Sequence, residues 1–433
     1  MDPVLSCVVM ILLMLLLISI GLPIGFALIL VGFLGILLLT DWGPALSALS
    51  SIPYRSTSEW TLSVIPLFVL MGHFALQAGV SRDFFLFASR WLSWLPGGLC
   101  IVSVAGCAGF AFCTGSTVAC ATTVARVALP EMERYGYDRK LSAGTLAAAG
   151  TLGTLIPPSI GLVIYGMMTG QPIGRLLIAG IVPGIVSAAI YMIMIGVRAT
   201  IHPEIAPRLQ RVTWPERIAS VKGVVGIFVL AASVLGVIFA GVATPTEAAA
   251  LGALVAVFMA LVRRKLTWGG FKEALVETGK LTSTVFVIYV GAVVFTCFLG
   301  LTGIPVKLSL FIQSMNLPPL IVLSIIFVMY IFLGCIIDPI SMCMLTLPVV
   351  FPLIVSMGYD PIWFGIMVIK MTEIGMITPP VGLNVYAIKA ASGYSLEEVF
   401  RGIFPFFWTE LVIVAILVAF PQIVLWLPGK MFS

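Results

Sequence analysis

The chain has 433 residues, 61% of them hydrophobic and only 9% charged, where a soluble domain carries about a quarter charged residues. That balance excludes a soluble protein of this size, and a net charge of +5 gives no reason to expect nucleic acid as a partner. Apolar runs near 20 residues recur from end to end, so the chain reads as an all-α polytopic membrane protein whose solvent is the lipid bilayer.

The first apolar stretch, 4–39, is too long for one span, and Gly21-Leu22-Pro23 divides it into two helices. It has no basic n-region and no A-x-A-like site, so it is expected to be retained and not cleaved as a signal. A polar connection containing Trp follows at 41–59, then a third span at 62–78. Residues 81–95 mix aromatics with Arg82 and Arg90, a pattern suited to a helix lying in the membrane interface. Residues 97–129 are dense in Gly, Ala, Ser, Thr and Cys and suit a re-entrant hairpin with its tip near Thr114-Gly115-Ser116-Thr117. A charged loop at 131–140 leads to a helix over 142–166, and 176–197 spans again before the polar stretch 198–222.

The helix at 142–166 contains Gly153-Thr154-Leu155-Ile156-Pro157-Pro158-Ser159. Proline removes a backbone donor and clashes with the preceding turn, so a Pro pair unwinds the helix. Unwound backbone at membrane depth must be buried in protein or face a wet cavity. A twin, Gly375-Met376-Ile377-Thr378-Pro379-Pro380-Val381, lies 222 residues later. The same offset carries Pro23 onto Pro245, Pro96 onto Pro318, Cys113 onto Cys335, and Gly136-Tyr137-Asp138 onto Gly358-Tyr359-Asp360. The second half is therefore expected to repeat the first, with spans near 224–241, 246–262 and 282–301, an interfacial helix near 304–315, a hairpin at 319–356, a broken helix at 362–386 and a last span at 402–427. Two broken helices in corresponding halves are a pointer to a transporter's binding site.

Each repeat holds five spans and a hairpin, and an odd number of spans inverts the second copy. The division is 1–200 for the first repeat, 201–222 for a cytoplasmic connector and 223–433 for the second. The segments 80–96, 126–141, 198–222, 263–281 and 387–401 hold 18 of the 23 Lys and Arg. The opposite side holds Arg55, Arg175, Lys307 and Lys430, and Lys370 lies within the membrane. Under the positive-inside rule both termini are then outside. Cysteines placed at Arg211 and Arg264 should label from the cytoplasm, and at Ser47 or Met431 from outside.

The eight Cys form no C-x-x-C pair, and Cys107, Cys113 and Cys120 read as small packing residues. With only His73 and His202, a catalytic or metal-binding His cluster is not expected, and neither is a cofactor. Unwound carbonyls and small hydroxyls are hard oxygen ligands that suit sodium, and the helix N-termini beyond each break offer amides to an anion. The first half offers Thr114, Gly115, Ser116 and Thr117 at the tip, with Gly153, Ile156, Pro158 and Ser159 at the break. The second offers Ile336, Ile337, Asp338 and Ser341, with Gly375, Thr378, Pro380 and Asn384. Asp338 either ligates or hydrogen-bonds its tip. Lys370 and Glu373, three residues apart, either neutralise each other or leave Lys370 to attract an anion.

These motifs resemble the large membrane subunit of the tripartite ATP-independent periplasmic (TRAP) transporters. The resemblance is carried by Gly115-Ser116-Thr117, Pro130-x-Met132-x3-Gly136-Tyr137, the run from Gly150 to Ser159, Gly180-Ile181-Val182-Pro183-Gly184, and the run from Ile374 to Gly382. It implies a sodium-coupled importer of small carboxylates in the bacterial inner membrane, working as an elevator in which a transport domain slides within a scaffold. It also implies a separate small four-helix membrane subunit and a periplasmic substrate-binding protein. By resemblance one sodium ion is assigned to Thr114, Ser116, Gly153, Ile156 and Pro158. The 222-residue offset gives Ile336, Asp338, Gly375, Thr378 and Pro380 for a second. Gly115, Thr117, Ser159, Ser341, Lys370 and Asn384 are then the candidate substrate-binding residues, and none is catalytic. The rival reading is a stand-alone divalent-anion/sodium symporter of the same superfamily, against which the tips Thr-Gly-Ser-Thr and Ile-Asp-Pro-Ile-Ser argue. A membrane-embedded enzyme lacks any nucleophile–base or metal cluster in the sequence to support it.

Overall fold

A computed structural model describes residues 3–209 and 212–431, and of Thr114 the backbone alone. Arg211, one of the labelling positions, lies outside the described residues. All regular elements among the described residues are helical. The Gly21–Pro23 turn separates α1 (Pro3–Ser19) from α2 (Ile24–Leu39). The connection after it is largely a helix, α3 (Trp42–Thr57), with Pro44 in its first turn, where no intrahelical N–H is missed, and Pro53 inside. Then come α4 (Val64–Gln77), α5 (Val80–Leu92), the hairpin α6 (Gly98–Thr114) and α7 (Thr117–Arg134), the broken helix α8 (Arg139–Leu155) and α9 (Ile160–Thr169), and α10 (Ile173–Ile201). The polar stretch beyond leads to α11 (Trp214–Ser220), α12 (Val225–Ala231) and α13 (Val237–Phe239), segments of one helical run that includes a π-turn at 232–236.

The second half continues with α14 (Pro245–Val262), α15 (Trp268–Thr302), α16 (Ile304–Ser314), the hairpin α17 (Pro319–Gly334) and α18 (Pro339–Ser356), α19 (Pro361–Ile377), α20 (Leu383–Ser392), α21 (Leu396–Ala419) and α22 (Gln422–Gly429). Here α15 starts well before the expected span. Thr267 caps it by accepting from the Gly270 amide at 3.1 Å, and Gln77 of α4 donates to the Gly270 carbonyl at 2.5 Å. Those contacts hold as helix a stretch that reads as loop from its charges.

Among the described residues seven helices are long and apolar enough to cross a membrane, or eight if α8 and α9, bent by 42° at their break, count as one span. Ten spans are expected from the sequence. The difference lies in α1 and α2, which are 17 and 16 residues long and at 1.5 Å per residue reach about 25 Å, short of a ~30 Å hydrocarbon core. It lies also in α19 and α20, which are parted by residues 378–382 and do not pass as one bent span, while the eight include α18, an arm of the second hairpin that is not among the ten.

The tripeptide found at both positions does the same work in each. Gly136 and Gly358 take left-handed φ values of 72° and 81° and end α7 and α18. Asp138 then caps α8, accepting from the Leu141 amide at 2.9 Å, and Asp360 caps α19, accepting from Ile362 and Trp363 at 2.8 and 2.9 Å.

The helices pack as two groups. One holds α2 along α15 and α4 along α14, with α1 and α3 against them. The other is built around α8 and α19, buried on all sides from Leu141 to Leu155 and from Ile362 to Ile377. Around this pair lie α6, α7, α10, α20 and α21 against α8, and α17, α18 and α21 against α19. Lipid gives apolar helices no solvent-driven reason to associate, so close backbone approach must hold them. It does so where α8 crosses α21. A Cβ added to Gly144 would sit 2.1 Å from the Gly402 carbonyl oxygen, and one on Gly402 would sit 1.9 Å from that of Lys140. The arms α5 and α16 join the groups, and Arg263, just past the end of α14, pairs with Asp83 of α5 and donates to the Ala78 carbonyl at 3.1 Å.

Candidate functional site

The two hairpin tips and the two helix breaks meet on the seam between the groups. At the first tip Gly115 takes φ +57° and ends α6, Ser116 is extended, and Thr117 begins α7. This tip seats on the first break. A Cβ at Gly115 would lie 2.6 Å from the Pro158 carbonyl oxygen, and one at Gly153 would lie 2.9 Å from the Ser116 carbonyl oxygen. The final carbonyls of a helix have no intrahelical donor. The oxygens at the end of α8 and in the Pro pair are thus gathered beside the Ser116 carbonyl, inside protein, with Pro157, Pro158 and Ser159 all buried.

The second tip is built differently. Asp338 is the N-cap of α18, its Oδ1 accepting from the Ile340 and Ser341 amides at 3.0 and 3.1 Å. Asp338 Oδ1 thereby holds the tip. Ile336 is 52% exposed, and Gly375 packs against Gly334 of α17. The Gly375 carbonyl accepts from the Thr378 amide at 2.9 Å. The Thr378 hydroxyl donates to the Ile374 carbonyl at 2.6 Å, which leaves its lone pairs free to ligate. Pro379 and Pro380 are exposed, unlike their twins.

A cavity of about 260 Å³ lies between the tips and α15, lined by Gly115, Ser116 and Thr117 of one tip and Asp338, Pro339 and Ile340 of the other. Val118, Thr154, Ile160, Gly161, Met376 and Leu383 complete the bundle side, and Leu281, Thr284, Val285 and Ile288 form the wall from α15. The first residues of four helices therefore border one cavity: Thr117 of α7, Ile160 of α9, Pro339 of α18 and Leu383 of α20. Each helix start carries a partial positive charge from the helix dipole, offset at α18 by Asp338, which already accepts from the Ile340 and Ser341 amides, while at α9 Ser159 takes the Leu162 amide. Asp338 is the sole ionisable side chain among the lining residues. A larger cavity of about 530 Å³, bordered by Glu59, Thr61, Gln171, Thr244 and Tyr289, touches neither tip nor break.

Of the candidate substrate residues, Gly115 and Thr117 line the smaller cavity, while Ser159, Ser341, Lys370 and Asn384 are buried behind its wall. Ser159 caps α9 by accepting from the Leu162 amide at 3.2 Å. Asn384 Nδ2 donates to the Ala147 carbonyl at 3.0 Å. Lys370 has no face to the cavity, because its ammonium lies 2.8 Å from Glu410 Oε1 and 3.4 Å from Glu373 Oε2. Glu373 in turn accepts from the Thr154 hydroxyl at 2.7 Å, and Thr154 lies 3.1 Å from the Thr117 hydroxyl.

Three participants escape the sequence reading. Glu410 is the lone acid of the 402–427 span, a signal that was available. Thr284 belongs to a Thr-Ser-Thr run at 282–284 inside an apolar helix. Thr154 sits within the break motif, but its contact with Glu373 is tertiary. Among the described residues no group of three or more His, Cys, Asp and Glu could hold a metal ion.

A family model described as "Tripartite ATP-independent periplasmic transporter, DctM component" matches residues 10–423. The C4-dicarboxylate TRAP transporter large permease protein DctM of Pseudomonas aeruginosa is 35% identical over 377 residues, covering 87% of this chain and 88% of that protein. The 2,3-diketo-L-gulonate TRAP transporter large permease protein YiaN of Escherichia coli is 31% identical over 415 residues, covering 95% and 96%. The sialic acid TRAP transporter large permease protein SiaM of Vibrio cholerae is 30% identical over 414 residues, covering 94% and 95%. Among solved structures the YdaH transporter of Alcanivorax borkumensis is similar with a TM-score of 0.65 at 14% identity, covering 88% of this chain and 90% of that one. At that identity the likeness is one of fold.

Proposed function

The chain belongs to the DctM-component family of tripartite ATP-independent periplasmic transporters, as a multi-pass membrane permease and not an enzyme, and from that premise we propose that it imports small carboxylates by sodium symport. The observation that carries this reading is the meeting of four helix N-termini at one cavity that no Lys or Arg borders among the described residues. Amide dipoles aimed into a low-dielectric space favour a carboxylate. A bound cation beside Asp338 offsets the one fixed negative charge there. Three relatives are named for C4-dicarboxylates, 2,3-diketo-L-gulonate and sialic acid, and the carboxylate these three share is the part this cavity recognises.

The sodium ligands we propose remain Thr114, Ser116, Gly153, Ile156 and Pro158 at the first break, and Ile336, Asp338, Gly375, Thr378 and Pro380 at the second. Support at the first comes from the Ser116 and Pro158 carbonyls converging on Gly153 and Gly115. The two halves act as inverted repeats, and the group around α8 and α19 slides as an elevator past α2, α4, α14 and α15, with α5 and α16 as its arms. The cavity's position on the seam between the groups supports that motion. The working assembly adds a small membrane subunit and a periplasmic binding protein.

Reconstituted with both partners, the chain should take up a C4-dicarboxylate only under an inward sodium gradient. Robust uptake by the chain alone would turn the assignment to a stand-alone symporter. Ser116→Ala and Thr378→Val each remove one oxygen at nearly constant shape, which costs roughly 1–3 kcal/mol if that oxygen faces an ion. The half-saturating sodium concentration should then rise about five- to 150-fold. An unchanged value in both variants removes these side chains from the ligand set.

Inversion of the second repeat has its own check. A cysteine at exposed Arg264 should react with an impermeant reagent from the cytoplasm alone, and one at exposed Ser47 from the opposite side. Met431 is buried at 6% exposure and is a poor reporter. Labelling of positions 47 and 264 from the same side rules out the proposed arrangement.

A further inference from the structure

The arm α5 and the run from α11 to α12 meet beside a cluster of three tryptophans. Trp91 meets Trp214 edge-on with ring centroids 6.3 Å apart, and the Arg217 guanidinium lies over the Trp94 and Trp214 rings at 5.9 and 5.4 Å. Tryptophan gathers at headgroup level in membrane proteins, so the cluster marks where this run enters the bilayer. Beside it is a groove of about 470 Å³ with only apolar side chains on its walls, Phe87 and Trp91 of α5 facing the run from Val221 to Ala232. The indole N–H of Trp91 is turned away to the Arg217 carbonyl at 3.3 Å. At 1.5 Å per residue, 221 to 232 reaches roughly 16 Å, about half of a ~30 Å hydrocarbon core. The groove thus has the depth of one leaflet, and Val225 and Phe228 on its rim are exposed.

The turn at 221–223 borders both this groove and a second recess of about 270 Å³, whose charged walls are Asp83, Arg90 and Lys222. Gly223 seats that turn on α5, since an added Cβ would lie 2.8 Å from the Asp83 carbonyl oxygen. Asp83 is already paired with Arg263. Arg90 spends one N–H on the Glu216 carbonyl at 3.1 Å, and the Glu216 carboxylate accepts from the Thr213 amide of its own cap. Lys222 is exposed and has no hydrogen-bond or ion-pair partner among the described residues. The recess therefore carries two positive charges that the protein does not balance, at the interface end of an apolar groove.

We propose that groove and recess together bind one anionic phospholipid, its phosphate at Arg90 and Lys222 and an acyl chain along Val221 to Ala232. Basic pockets beside membrane helices recognise anionic headgroups through charge, and here the apolar groove begins at the same turn. A single lipid satisfies both parts. A spanning helix of another protein fits less well. It would need an apolar face across the whole core, whereas this groove ends at Ala232, and it would bring no anion to the two cations. The bound lipid fills the space between the arm α5 and α12, apart from the tips, the breaks and the cavity between them.

Photolabelling of the full chain in lipid vesicles tests the site without any measurement of transport. The chain is reconstituted in phosphatidylcholine holding a trace of a lipid with a diazirine in its acyl chain, either phosphatidylglycerol or phosphatidylcholine. Peptides covering 87–91 and 221–232 are then assayed for label. The phosphatidylglycerol probe should exceed the phosphatidylcholine probe there on the order of thirtyfold, from about fivefold for each basic side chain. Arg90→Gln combined with Lys222→Gln should bring that ratio close to one. Should the loss of the Arg90 contact with Glu216 prevent folding, Lys222→Gln alone replaces the pair. Lys222 holds nothing in the protein, and its loss should lower the ratio about fivefold. A ratio near one in the wild type, or a ratio unchanged by these variants, overturns the proposal. The labelling is repeated with the small membrane subunit present. Label retained at 221–232 supports the lipid, and label lost there would show that a protein covers the groove and would overturn it.

Discussion

Lys370→Met should reach the membrane at a small fraction of the wild-type level, and what is extracted should unfold at a markedly lower temperature. The ammonium is fully buried, with one carboxylate at 2.8 Å and another at 3.4 Å. Methionine fills much of the same volume and supplies no charge. Removing one partner of a buried ion pair strands the other, at a cost of about 3–5 kcal/mol, against a total stability on the order of 5–15 kcal/mol for a typical domain. The stranded groups here are Glu410, left with the Tyr191 hydroxyl as donor, and Glu373, left with that of Thr154. Lys370→Met combined with Glu373→Gln and Glu410→Gln leaves neither ammonium nor carboxylate in the cluster and should recover most of the lost abundance. Fluorescence of a fused reporter in the membrane, with thermal unfolding in detergent, reads both variants. Equal losses in the single and the triple variant would show that methionine fails on packing, not on charge.

The same cluster marks the boundary of what the sequence makes legible. Local chemistry reads well. The Pro pairs break their helices at 156–159 and 378–382, the hairpin tips fall at 115–116 and 335–338, and each Gly-Tyr-Asp ends one helix and caps the next. All of these follow from φ preferences, missing donors and capping within a few residues of the motif. The Lys370–Glu373 pair is legible for the same reason, being three residues apart on one helix. Glu410 lies 40 residues from Lys370 and Tyr191 lies 219 residues from Glu410, so no periodicity connects them. Their pairing is decided by the packing of α21 and α10 against α19. The helical α3 and the early start of α15 are hidden for a related reason. Ser, Pro and charge argue for loop, and contacts such as Gln77 to Gly270 override them. The candidate site divides along the same line. Tip and break residues are readable as backbone chemistry, whereas Thr284 enters the cavity only because α15 lies across the seam.

Gly115→Ala should abolish most uptake, while Gly136→Ala, an equally left-handed glycine, should leave it within about twofold. Both positions have φ values that an L side chain resists, +57° and +72°, at a cost of about 1–2 kcal/mol each. Their surroundings separate them. Gly136 is exposed in a turn with nothing within 4 Å of an added Cβ, so its cost stays local and falls on stability. An added Cβ at Gly115 meets the Pro158 carbonyl oxygen at 2.6 Å, and both belong to rigid backbone in a buried seam. Either the tip lifts from the break or the carbonyl turns away, a further penalty of roughly 1–3 kcal/mol. Even 2 kcal/mol is about a thirtyfold loss in any binding step that needs the tip seated. Both consequences disturb the oxygens proposed for the first sodium ion and the N-terminus of α7 that borders the cavity. Initial uptake rates normalised to membrane abundance, measured across sodium concentrations, separate the two variants. A Gly115→Ala protein that transports like Gly136→Ala would mean that the tip need not rest on the broken helix during transport, and the first ion site would lose its Ser116 and Pro158 carbonyls together.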